Sequence, residues 1–190
     1  NEVVQNLLKE ELFHLMLQKS LIADIFLEKL LTKLRYEILS TFNNSNKNIL
    51  KEHFHFIVSL AEQCWLNEYA YIQSEKENNL LNKIKEKIEN DEEINELEIA
   101  ILGCYVPLNT STNITEKLLN YKSQNILFND LIDVQIKEPL KEIKLKKSIN
   151  SLDKIFDPIS IKVQEQYEEH PYPRWRFSKK HFPRNFFRCL

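Results

Sequence analysis

Two side chains stand out for what they could do together. Arg35 is the first arginine of the chain and the only one before Arg174, in a sequence otherwise served by lysine. It lies four residues after Leu31 and three before Ile38, at the edge of an apolar helical face. Glu68 follows Ala61 and Trp65 at helical steps and precedes Ile72 by four, so it falls on a second apolar stripe. A carboxylate taken out of water needs a partner, and a planar guanidinium is the best one. The spacing predicts an Arg35–Glu68 ion pair, buried or half-buried, between the second and third helices. Such a pair either fixes helix register or lines a polar ligand pocket.

Little else in the sequence is arranged for catalysis. The acids occur mainly in runs such as Asp91-Glu92-Glu93, and no two carboxylates stand at a spacing that demands general acid–base work. No local signature supports a Ser–His–Asp or Cys–His set. Cys64, Cys104 and Cys189 are far apart and odd in number, which argues for free thiols and a reducing compartment. His53 and His55 are two apart and point to different sides of a helix, against a zinc site. The single glycine, Gly103, is the most restrictive feature. Phosphate-cradling and dinucleotide-binding turns need several glycines, so Gly-loop chemistry is excluded for these residues. The expectation is that they include no catalytic, cofactor-binding or metal-binding residue.

The last 21 residues differ in kind. Between His170 and Leu190 there are six Lys or Arg and no acid, which leaves −8 on the residues before them. Pro171, Tyr172, Pro173, Arg174 and Trp175 make an extended proline–aromatic–arginine segment, and four phenylalanines continue it. Aromatic rings interleaved with cations suit either a strap packed on a neighbouring domain or a single-stranded nucleic-acid contact. The strap is the favoured reading and nucleic acid the disfavoured one; self-association through the tail is a further expectation.

Helices must position these residues. Val4, Leu7, Leu8, Leu12, Leu15 and Met16 predict one opening amphipathic helix, and a second runs from about Ala23 to Phe42. The third carries Phe54, Ile57, Val58, Ala61, Trp65 and Ile72, and its breadth of apolar surface predicts the central helix of a bundle. Glu75 to Glu89 reads as a surface helix; Asn90 or Asp91 then caps a helix that stops before Pro107. Asn113 and Glu116 have capping-box spacing. A helix over 125–137 follows, with Pro139 as an interruption or a new start. Asp157-Pro158 opens a last helix that ends at His170, before Pro171. The expected fold is all-α: an irregular bundle of about seven or eight helices over 1–157, then a helix and basic aromatic strap over 158–190. No apolar run nears the roughly 20 residues of a membrane span. No signal-peptide pattern follows Asn1, and cytoplasmic placement without a membrane partner is expected.

Several stretches carry a resemblance. Val163 to Trp175 (VQEQYEEHPYPRW) resembles a segment just upstream of the catalytic domain in bacterial class I S-adenosylmethionine-dependent methyltransferases, many of which carry tetratricopeptide repeats. FIVSLAEQCWLNEYAY (Phe56 to Tyr71) is similar to that family's Gln-Cys-x-x-Asn-Glu-Tyr helix. LGCYVPL (Leu102 to Leu108) is similar to its Leu-Gly-x-Tyr-x-Pro-Leu element, and Lys137 to Leu140 to its Glu-Pro-Leu connection. His170 stands where the family usually has Asn. The resemblance implies an accessory helical domain, with the glycine-rich S-adenosylmethionine site in a module beyond Leu190. That downstream domain is the implied partner, with a protein substrate as a further one. Gln166, Tyr167, Pro171, Tyr172, Pro173, Arg174 and Trp175 are the implied interdomain strap.

Overall fold

The computed structural model describes residues 2–44, 47–149 and 156–169. Every regular element among them is helical, as the periodicity predicts. The order is α1 (Glu2–Leu7), α2 (Glu11–Lys19), α3 (Ile25–Asn43), α4 (Lys47–Glu52), α5 (Phe54–Leu66), α6 (Glu75–Asn90) and α7 (Glu96–Gly103). A 3₁₀ turn (Leu108–Thr110), α8 (Thr112–Leu119) and α9 (Ile126–Ile132) follow. A π-helical turn (Asp133–Lys137) leads without a break into α10 (Glu138–Lys146), and α11 is Pro158–Glu169.

The central position falls to α5, where every residue from Phe56 to Leu66 is buried. It packs against α2, α7, α9 and the π turn. Its apolar side chains join Leu17, Leu31, Leu39, Ile101, Phe128 and Leu131 in one core. Burial on this scale supplies the driving force, at about 25 cal/mol per Å² of apolar surface. α6 is the expected surface helix, burying Leu81, Ile84 and Ile88 along one side. Ser74 starts it with a capping box, its hydroxyl accepting from the Glu77 amide while Glu77 reaches back to the Ser74 amide.

Three expectations need correction. The opening stretch is two helices, not one, broken at Leu8–Glu10. The break resets the helical phase, so Leu12 and Leu15 face outward while Phe13, His14, Leu17 and Gln18 are buried. Asn95, not Asn90 or Asp91, caps α7. Ser111, not Asn113, caps α8 by accepting from the Ile114 amide. Of the two readings of Pro139 the new start holds, since it stands in the first turn of α10. The preceding π turn has already shifted the hydrogen-bond pattern, with the Glu138 amide donating to the Asp133 carbonyl, so the missing Pro139 donor falls where the ladder is rearranged.

His14 gives the bundle a pH dependence. Its Nε2 lies 2.9 Å from the Leu8 carbonyl and its ring meets His55 edge-on at 5.9 Å. Burial lowers its pKa below the ordinary 6.5, against the raising effect of that carbonyl. The unfolded chain therefore takes up this proton first on acidification. The stability contribution is whole above pH 6.5 and falls as the pH drops from there towards the folded pKa. The urea midpoint should be lower at pH of about 5.5 than at about 7.5, and His14→Gln should lessen that difference. An identical pH slope in the variant would show that His14 does not carry it.

Candidate functional site

Arg35 lies on α3 and is 1% exposed. The phase of α3 places Leu31, Arg35, Ile38, Leu39 and Phe42 on its buried face. Its guanidinium reaches three backbone carbonyls: Nη1 donates to Cys104 at 3.4 Å, and Nη2 to Tyr71 at 3.3 Å and Ile72 at 2.8 Å. It also lies over the Tyr105 ring, 4.2 Å from the centroid, and 5.7 Å from that of Tyr71. A planar, weakly hydrated cation suits such a site, since it donates in its plane and stacks on its face. Arg35 thus ties α3 to the end of α7 and to the segment between α5 and α6.

Glu68, the expected partner, is half-buried and lies just beyond the end of a helix. α5 ends at Leu66, so Glu68 does not continue the helical stripe that was to aim it at Arg35. Glu68 and Tyr69 instead adopt φ of 55° and 56°, and the Tyr69 amide closes the turn on the Cys64 carbonyl at 2.8 Å. Two successive non-glycine residues in the left-handed region cost on the order of 1–3 kcal/mol each, which the surrounding packing must offset. The turn swings the chain away from the α5 axis and delivers the Tyr71 and Ile72 carbonyls to Arg35.

The acid that senses Arg35 is Glu77 of α6. Tyr105 donates its hydroxyl to Glu77 Oε1 at 3.0 Å, and the Ser74 amide and hydroxyl donate to Oε2 at 2.8 and 2.7 Å. Burial alone would raise its pKa. Those donors and the Arg35 charge outweigh it, and the carboxyl is held below its usual range. Burial pushes the Cys64 thiol up to about 12 despite Arg35 beside it, and raises Cys104 as well. Tyr71 and Tyr105 are also raised by burial. The thiols are thus protonated at neutral pH and poor nucleophiles, and both oxygens of Glu77 are committed. The cluster is suited to holding backbone segments in place.

A second anchor lies across α5. Gln135, in the π turn and fully buried, donates from Nε2 to the Ala61 carbonyl at 3.1 Å and the Gly103 carbonyl at 3.2 Å. Its Oε1 accepts from the Leu108 amide at 3.3 Å. One side chain thereby joins α5, α7 and the 3₁₀ turn. Sequence reasoning missed it, because a glutamine between Val134 and Ile136 carries no mark of a π turn. The one available signal was a polar residue enclosed by an apolar run.

Of the strap residues, Gln166 and Tyr167 lie on α11, both exposed. Pro171, Tyr172, Pro173, Arg174 and Trp175 lie outside the described residues. Lys146 of α10 pairs with Glu168 of α11 at 2.5 Å. Among the described residues no group of three or more His, Cys, Asp or Glu side chains is placed to hold a metal ion. No helix among them is long and apolar enough to cross a membrane. Comparison with protein-family models, with curated proteins and with solved structures finds no match for this chain.

Proposed function

We propose that this chain is a non-catalytic helical accessory domain of an S-adenosylmethionine-dependent methyltransferase. It orients or recognises substrate for a catalytic module in the same polypeptide. The observation that carries this reading is the convergence of the stretches on which the resemblance rests. Ala61, from the first stretch, and Gly103 and Leu108, from the second, are held by Gln135. Pro139, from the third, follows directly on the same π turn. These stretches are far apart in sequence and form one structural unit, as expected for a shared scaffold.

The fourth stretch begins on α11, which supports a linking role. Ile159, Val163 and Tyr167 are exposed at the helical spacing of one stripe on α11, and Phe156, just before the helix, is 83% exposed. In this reading the stripe and the strap from Gln166 to Trp175 pack on the catalytic module. S-adenosylmethionine binds that module. The protein works in the cytoplasm.

Amide hydrogen exchange tests this arrangement. In the product of the native reading frame, the amides of α11 should exchange at least tenfold more slowly than in the 190-residue chain. Equal exchange in the two would overturn the packing. The exposed stripe also favours a second reading, a protein-interaction adaptor. Salt-sensitive oligonucleotide binding lost on replacing Arg174 and Arg176 would instead favour an RNA-binding module.

A further inference from the structure

A cleft of about 550 Å³ opens between the outer face of α3 and the segment that Arg35 holds from behind. Its volume is in the range of small-molecule sites. One wall is the α3 stripe that includes Ile25, Lys29, Lys33 and Tyr36; the other is formed by Ala70, Tyr71 and Ile72. The second wall is fixed, because Arg35 Nη2 binds the Tyr71 and Ile72 carbonyls. A wall fixed before the ligand arrives lowers the entropic cost of binding.

The charges in the cleft are unequal in availability. Among the described residues neither Lys29 nor Lys33 has a carboxylate within ion-pair distance. Both are exposed, one helical turn apart, so their ammonium groups lie on the same side of α3. A third cation, Lys76, reaches Tyr36 Oη at 3.4 Å. Of the two lining acids, Glu77 has both oxygens turned to Tyr105 and Ser74, which leaves Glu28 as the only one facing the lysines. The apolar surface is also left open: Ile25 is 58% exposed and Ile72 84%.

We propose that this cleft binds a small amphipathic anion, a phosphate or carboxylate joined to an apolar or aromatic body. The body lies between Ile25 and Ile72 and against the Tyr36 ring. The anionic group is held by Lys29 and Lys33. The inference stands apart from the methyltransferase reading and would survive its failure.

Phenyl phosphate and benzoate are suitable probes, with benzyl alcohol as the neutral counterpart, in an NMR titration of the 190-residue chain. At least one anion should shift the amides of Lys29 to Tyr36 and Ala70 to Gln73 saturably, and more tightly than benzyl alcohol does. The anion that binds more tightly identifies phosphate or carboxylate as the group recognised. K29E/K33E, at exposed positions, should weaken that anion at least tenfold and leave benzyl alcohol unchanged. Ile72→Glu should weaken all three probes. The proposal is overturned if neither anion shifts these amides, if the shifts spread over lysines elsewhere such as Lys9 and Lys85, or if K29E/K33E binds the anion as the parent does.

Discussion

Arg35→Met should lose about 3–5 kcal/mol of unfolding free energy, a large part of the roughly 5–15 kcal/mol that a domain possesses. Methionine fills much of the same volume but donates nothing. The carbonyls of Cys104, Tyr71 and Ile72 would lose the guanidinium donor, in a setting where each unmade bond costs on the order of 1–3 kcal/mol. The stacking on Tyr105 would also go. Arg35→Lys should recover only part of the loss, because an ammonium cannot present donors in one plane to three carbonyls. Urea unfolding measures both. A second readout separates loss of the cation from general loosening: the Glu77 carboxyl, held down in part by Arg35, should titrate higher in Arg35→Met and stay low in Arg35→Lys. A loss below about 1 kcal/mol in Arg35→Met would contradict the anchoring role.

Gln135→Leu should cost about 2–4 kcal/mol, for a related reason. Leucine is close in size and suits an apolar interior, so a simple burial argument predicts a neutral or stabilising change. The opposite is expected, because the Ala61 and Gly103 carbonyls and the Leu108 amide would be left without the partner that now serves all three. Gln135→Glu should be worse still. A carboxylate keeps the acceptor for Leu108, but it cannot donate to either carbonyl and places a charge at a fully buried position. Urea unfolding should show a lower midpoint with an unchanged slope in Gln135→Leu. A midpoint at or above that of the parent would mean that the three contacts carry no net stability.

The parts of this fold that were legible in the sequence are those set by one residue and its near neighbours. Asp157 caps the helix it was expected to open, because capping needs only a short side chain two or three residues before a free amide. At α7 and α8 several such side chains stand close together, and the sequence pointed to the wrong one. The burial of Arg35 was legible from a lone arginine at the margin of an apolar face. What Arg35 holds was not legible. Its partners are backbone carbonyls, and no residue type signals a carbonyl. The end of α5 at Leu66 was not legible either, because the apolar period continues to Ile72 with no glycine or proline to stop it. The left-handed turn at Glu68 and Tyr69 is imposed by tertiary packing over local preference. Gln135 was hidden for a similar cause, since a π turn leaves the apolar pattern almost unchanged.

The claim that the bundle serves a methyltransferase is tested most directly by calorimetry with S-adenosylmethionine on the product of the native reading frame, alongside the 190-residue chain. The account predicts saturable one-to-one binding by the full product and no heat of binding from the 190-residue chain. A full product that does not bind S-adenosylmethionine would contradict it.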